Sequence, residues 1–420
     1  MSLSKLFIEK VTKKNLRCSD LYHPGESCLK FNFYLLKNTW IHCAKFYAPI
    51  ALLPLVKKLN SVQWTEAKKS LSFYINLIVG TIIPSALTVS LVCVLSNYFG
   101  RIYLSTLIYI PNLIMTTLYV PWMDQRVANT FGNILLVVHL EALIREGRTS
   151  FLRLLRDSKW IQTILFMGAS SIVVDTMSSM PTNIFWFINP RPKEVCTEND
   201  FVERLVTDKV LPTKSSNCDH NSSCNQHIWR STKQISMTMI GFETLRVILT
   251  NIKTISVNPF GTGKLLKSKI NFPLMVMVSG YTTVYHISKC IQNRLSRAKS
   301  MPTSRYTNLM SGFLCGSVFW LNADLSLLCH GLSAAIQLTF QNYFMDWLAT
   351  KNKSIANSAA NFPWSKVFFL VTIGYALHLS ILYPSLCSKF MHKIADAVVS
   401  CRFREVRKHT FRAIFSNVTK

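Results

Sequence analysis

Between Lys69 and Arg101 the chain holds no Asp, Glu, Lys or Arg. Further charge-free windows run over Ile102–Met123, Trp160–Val174, Ile270–Ser288, Tyr306–Ala323, Leu325–Met345 and Val367–Ser388. A helix needs about 20 largely apolar residues to cross the hydrocarbon layer. At least five of these windows reach or approach that length, more than a soluble core of this size conceals. Two shorter stretches, Val127–Ile144 and Trp160–Met177, carry His139, Glu141 and Asp175 among their apolar residues. Backbone in lipid must pair with itself, which leaves helices or closed barrels. The runs are too long and alternate too little for barrel strands. The expected fold is therefore all-α, a multi-pass transmembrane helical bundle.

The charge balance fits the same picture. The 420 residues include 47 Lys+Arg against 20 Asp+Glu, a formal net charge of +27 that by itself suggests nucleic acid. Only 16% of residues are charged, however, and the bases are scattered between apolar runs rather than gathered in a patch. They collect in Lys5–Lys45, around Arg145–Arg156 and in the tail from Arg402 to Arg412. Such flanks contact anionic headgroups and leave no need for nucleic acid. Nearly every loop is basic, so the positive-inside rule assigns no orientation.

Prolines and polar breaks divide the chain. Residues 1–45 form a basic segment containing Cys and His. Pro49 and Pro54 interrupt Phe46–Val56, which reads as a re-entrant or interfacial piece. Pro84 and Pro111 sit inside spans, where they kink a helix. Residues 46–186 make a first helical unit and 187–234 a polar Cys/His loop. Residues 235–400 make an amphipathic helix plus a second unit, and 401–420 a basic tail. The hydrophobic segments fall four on each side of the polar loop, which suggests two related four-helix units.

Three groups of residues are candidates for function. Gly312-Phe-Leu-Cys-Gly316 is a GxxxG pattern, and Gly331 with Ala335 repeats the small-xxx-small spacing, which lets helix backbones approach closely. Cys18, His23 and Cys28 form one Cys/His group, and Cys218, His220 and Cys224 another. Both offer zinc-type ligands or redox thiols, although neither has zinc-finger spacing. Asp175, Asp324, His330 and His378 lie within or beside spans, where ionisable groups mark polar paths. Metalloprotease, nucleophile-elbow and phosphate-loop patterns are missing or incomplete, Gly261-Thr-Gly-Lys264 being only the end of the last. The expectation is a chain that is not an enzyme and has no cofactor.

Several of these residues also carry a resemblance. His23-Pro24, Cys28, Lys45-Phe-Tyr-Ala-Pro49, Cys218-x-His220 with Cys224, Ser311-Gly-Phe-Leu-Cys-Gly316 and Leu382-Tyr-Pro-Ser385 occur in an order that resembles the transmembrane protein 135 family. The second half is also similar to the wider superfamily of mitochondrial inner-membrane translocase subunits and small peroxisomal membrane proteins. That superfamily places Arg and then Asp ahead of its glycine helix. Ser300 and Ser304 stand there instead, which weakens a translocase role. The resemblance implies a multi-pass protein of peroxisomes and mitochondria acting in organelle organisation, mitochondrial fission and lipid homeostasis. Implied partners are anionic lipid, organelle-division or lipid-handling proteins, and a second copy of the chain. A transporter or channel for lipids, sterols or small metabolites is the alternative.

Overall fold

The computed structural model describes residues 3–56, 64–179, 186–188, 223–251, 261–298, 305–388, 391–392, 395 and 402–415. Among these residues the regular structure is helical, with no strand. In chain order the principal helices are α1 (Cys28–Val56), α2 (Trp64–Ile82), α3 (Thr88–Phe99), α4 (Tyr109–Tyr119), α5 (Gln125–Glu146) and α6 (Lys159–Ser179). They continue as α7 (Cys224–Thr250), α8 (Phe272–Ala298), α9 (Arg305–Gly316), α10 (Leu325–Thr339), α11 (Trp364–Leu382) and α12 (Arg402–Phe415). Among the described residues four helical stretches are long and apolar enough to cross a bilayer: Ala67–Phe99, Gln125–Glu146, Lys159–Ser179 and Trp364–Leu382. The chain is a membrane protein with an all-α fold.

Two compact units form, one from Met1–Leu152 with Asn361–Lys420, the other from Arg153–Ala360. The expected sequential halves, 46–186 and 235–400, are divided differently. α6 packs on α9 and α10 in the second unit, whereas α11 returns to pack on α4 and α5 in the first. Side-chain packing therefore groups the helices against the order suggested by the polar loop.

In the first unit, α1 packs against α2, and α5 against α11. The interior combines Phe31 and Leu35 of α1 with Leu77 and Ile78 of α2, Val89 and Val92 of α3, and Phe369 and Ala376 of α11. Pro84 lies in the π-turn Ile83–Leu87, which joins α2 to α3. Asn112 of α4 is fully buried there and donates to the Pro84 carbonyl and the Thr88 hydroxyl, each at 3.2 Å. A partnered polar group of this kind makes the irregular turn tolerable inside a membrane. α11 meets α4 at Gly374, where an added Cβ would stand 3.2 Å from Asn112 Oδ1.

Two local expectations need correction. Phe46–Val56 is not a separate re-entrant piece; it is the end of the 29-residue α1, with Pro49 and Pro54 inside the helix. Ile102–Met123 is not one span, because Tyr103–Thr106 forms a turn in which the Tyr103 amide donates to Thr106 Oγ1 at 3.0 Å. The 11-residue α4 begins only afterwards, with Pro111 in its first turn, where the missing N–H costs least. The amphipathic helix expected from residue 235 onward is part of the longer α7, which packs on α8 with Thr232–Thr283 and Ser236–Ser279 hydroxyl bonds of 2.8 and 3.0 Å.

In the second unit, α6 is the central helix and α9 lies directly on it. α7 pairs with α8, and α8 with α9. Asp324 is the N-cap of α10, accepting from the Ser326 and Leu327 amides at 2.8 and 3.3 Å.

Candidate functional site

The N-terminal Cys/His group is assembled by a tight turn and by a helix that follows much later in the chain. Asp20 Oδ2 accepts from the Arg17 amide at 2.7 Å and fixes the short helix Cys18–Leu21. The chain then turns through Gly25, whose φ of +79° suits glycine, and α1 starts at Cys28. This segment packs on the end of α3, where the Ser96 hydroxyl accepts from the Cys18 amide at 2.9 Å. Cys93 of α3 completes a group of four with Cys18, His23 and Cys28, all ligand atoms lying within 4.8 Å of one another.

Cys18 Sγ lies 3.6 Å from Cys28 Sγ, and Cys93 Sγ lies 3.5 Å from His23 Nε2. Cys18, Cys93 and His23 are almost fully buried, while Cys28 is partly exposed. His23 Nδ1–H donates to the Glu26 carbonyl at 2.9 Å, so Nε2 presents its lone pair to the group. Asn97 Nδ2 donates to Cys28 Sγ at 3.7 Å. The hydrogen bond from Cys93 holds the Cys18 thiol down at about 5 against the opposing effect of burial, with Cys28, His23 and Ser96 adding to it. The arrangement can bind a thiophilic cation or exchange thiols, and no described cysteine forms a disulfide.

Sequence reasoning found three members of this group and missed Cys93. In the sequence it is one more small apolar residue of the span, and only the seating of Cys18–Leu21 on α3 reveals its partners. Of the second Cys/His group, Cys218 and His220 lie outside the described residues, and Cys224 opens α7.

The glycine group forms a close helix contact. A Cβ on Gly312 would stand 2.7 Å from both Ser170 O and Ser171 Cα, and one on Gly316 would stand 2.7 Å from Met167 Cα. Gly331 faces the Phe166 ring, which would be 2.9 Å from an added Cβ. Ala335 packs with Ala169, Val173 and Met177 of α6. A polar network unsuspected from sequence fastens the contact. Ser170 Oγ donates to Gly312 O at 2.6 Å and meets Tyr281 Oη at 2.6 Å, and Trp186 Nε1 donates to that same oxygen at 2.8 Å. The geometry requires hydroxyls of this type, but a lone Ser in an apolar helix gives no sign of its partner.

Of the expected polar path, Asp175, Asp324 and His330 lie in the second unit, each with its own separate partner. Asp175 is buried and accepts from Tyr343 Oη at 3.2 Å. Asp324 is exposed and occupied as a helix cap, and His330, also exposed, bonds the Ser326 carbonyl of its own helix at 2.9 Å. His378 belongs to the first unit, at the wall of a cavity of about 610 Å³ whose lining, including Ile8, Leu104, Tyr109 and Tyr375, is largely apolar.

No family model, curated protein or solved structure matches the chain. The class defined by fold and site is thus a helical membrane protein with a buried Cys/His group beside one of its spans.

Proposed function

We propose that the chain is a non-enzymatic multi-pass protein of the peroxisomal or mitochondrial membrane, acting in organelle organisation, mitochondrial fission and lipid homeostasis. The observation that carries the membrane part is the surface of the long apolar helices. Val94, Ile164 and Val371, each on a stretch long and apolar enough to span, stay 60%, 56% and 51% exposed, as residues on a lipid-facing surface would. The organelle and the role rest on the resemblance to the transmembrane protein 135 family, through the motifs given above. The glycine contact between α6 and α9 supports a closely packed helical body. α12 adds a surface for anionic headgroups: Arg404, Lys408 and Arg412 are exposed on one side, while Val406 and Ile414 are buried on the other. A tagged full-length copy is expected to co-localise with peroxisomal or mitochondrial markers, and its deletion to alter organelle number or length. Residence in another membrane, with unchanged organelles on deletion, would refute the proposal.

A second reading, a transporter or channel for lipids, sterols or small metabolites, is favoured by the apolar cavity beside His378. Uptake of such a compound by proteoliposomes, reduced by Tyr375→Trp within the cavity wall, would support it over a purely organising role.

A further inference from the structure

We propose that Cys18, His23, Cys28 and Cys93 bind one zinc ion in a closed tetrahedral site that staples the N-terminal segment to the end of the α3 span. Four features converge on this assignment: ligand number, spacing, tautomer and surroundings.

A zinc ion with Zn–S near 2.3 Å and Zn–N near 2.0–2.1 Å has tetrahedral edges of about 3.8 Å between sulfurs and about 3.6 Å between sulfur and nitrogen. The separations here are 3.6 Å for Cys18 Sγ to Cys28 Sγ and 3.5 Å for Cys93 Sγ to His23 Nε2. Two opposite edges of the tetrahedron are therefore already at the length the ion requires. The whole set spans no more than 4.8 Å, so small rotations about χ1 close the remaining edges.

The outer shell is that of a metal site as well. A ligating histidine almost always donates its other ring N–H to a carbonyl or carboxylate, which fixes its tautomer. His23 does so to the Glu26 carbonyl at 2.9 Å. Asn97 supplies an amide donor toward Cys28 Sγ, the kind of bond that offsets thiolate charge. Three thiolates and one imidazole are soft, nitrogen–sulfur ligands that favour zinc over calcium, magnesium or manganese. All four positions are protein ligands, so no position remains for water, which makes the site structural rather than catalytic.

The ligands also explain why the segment Cys18–Cys28 folds where it does. It is short and carries Asp20 and Glu26 with no Lys or Arg, yet it lies against a membrane helix that begins far along the chain. A metal bond to Cys93 holds it there, and in such sites the free energy of binding is folding free energy.

The test uses the full-length protein, with an affinity tag free of histidine, purified in detergent under reducing conditions. Metal content per chain is measured by mass spectrometry of the elements. About one zinc per chain is expected. Cys93→Ser and His23→Phe are expected to lose it, whereas His23→Cys, which restores a four-ligand set, and Cys224→Ser, in α7, are expected to keep it. Cys28 is the least buried ligand, so Cys28→Ser makes the smallest demand on the fold and should lose zinc while eluting as wild type. Cobalt loading of the wild type should give the intense visible and near-ultraviolet bands of tetrahedral thiolate coordination, and His23→Cys should keep them. A wild-type protein free of stoichiometric zinc would overturn the proposal. So would a Cys93→Ser protein with the full load, or an intact mass showing a Cys18–Cys28 disulfide in the native chain.

Discussion

Replacing Gly312 by alanine should destabilise the second unit more than a single added methyl suggests. The new Cβ stands 2.7 Å from Ser170 O and from Ser171 Cα, whereas ordinary contact begins at 3.4 Å. Both neighbours are backbone, so no side chain can rotate away, and α6 and α9 have to part by roughly 0.7 Å to relieve the overlap. That movement lengthens two bonds across the contact, Ser170 Oγ to Gly312 O at 2.6 Å and Ser171 Oγ to Leu309 O at 2.7 Å. Overpacking costs about 1–3 kcal/mol. Each weakened hydrogen bond adds up to about 0.5–1.5 kcal/mol. A loss of about 2–4 kcal/mol follows, or about 5–15 °C in Tm at about 2–4 °C per kcal/mol for a unit of this size. Tryptophan fluorescence of the detergent-solubilised protein on heating measures it. The control is Gly168→Ala on α6, where an added Cβ meets no atom within 4 Å. Glycine costs a helix about 0.5–1 kcal/mol relative to alanine, so this variant should melt at or slightly above wild type. Equal Tm for Gly312→Ala and wild type would refute the close approach of α6 and α9.

Other outcomes follow from individual contacts. Asp324→Ala removes the cap of α10 and should cost about 1 kcal/mol in thermal or denaturant melts, while Asp324→Asn should retain most of it. Glu141 is buried in α5 and accepts from Arg145 Nη2 at 2.6 Å, so Arg145→Met should cost about 3–5 kcal/mol, and adding Glu141→Gln should restore much of the loss. Burial pushes the Glu243 carboxyl up, but bonds from Arg246 and the Asn271 amide outweigh it and hold its pKa below 4.5. Glu243 therefore contributes stability that is fully present above pH 4.5 and is lost as pH falls through its lower folded value. Glu243→Gln should flatten the acid limb of a Tm-against-pH profile. Phosphatidylglycerol should raise the Tm of the wild type more than that of the triple variant Arg404→Gln, Lys408→Gln, Arg412→Gln, since each lysine or arginine near an anionic surface is worth about 1 kcal/mol.

The sequence made the membrane class legible because charge-free length is a direct requirement of the bilayer. Helices α5 and α6 formed where apolar runs tolerated Glu141 and Asp175, the first with Arg145 as partner and the second with Tyr343. Legibility failed where long-range contact decides the outcome. Pro49 and Pro54 suggested a break, yet α1 runs through both. Pro111 suggested a kink in a long span, but the turn at Tyr103–Thr106 leaves it in the first turn of a short helix. Gly312 and Gly316 announced a close contact through their spacing, but the partner helix α6 has no corresponding glycine signature and had to be seen. Cys93 failed for a related reason: a cysteine in an apolar run has the composition of packing, and its chemistry depends on residues from a distant segment.

The central claim is that this chain is integral to a peroxisomal or mitochondrial membrane, and alkaline carbonate extraction of fractionated organelles tests it most directly. The full-length protein is expected to stay in the pellet at high pH and to sediment with peroxisomal or mitochondrial membrane markers. Release into the supernatant would contradict the membrane assignment, and retention in a fraction free of both markers would contradict the organelle.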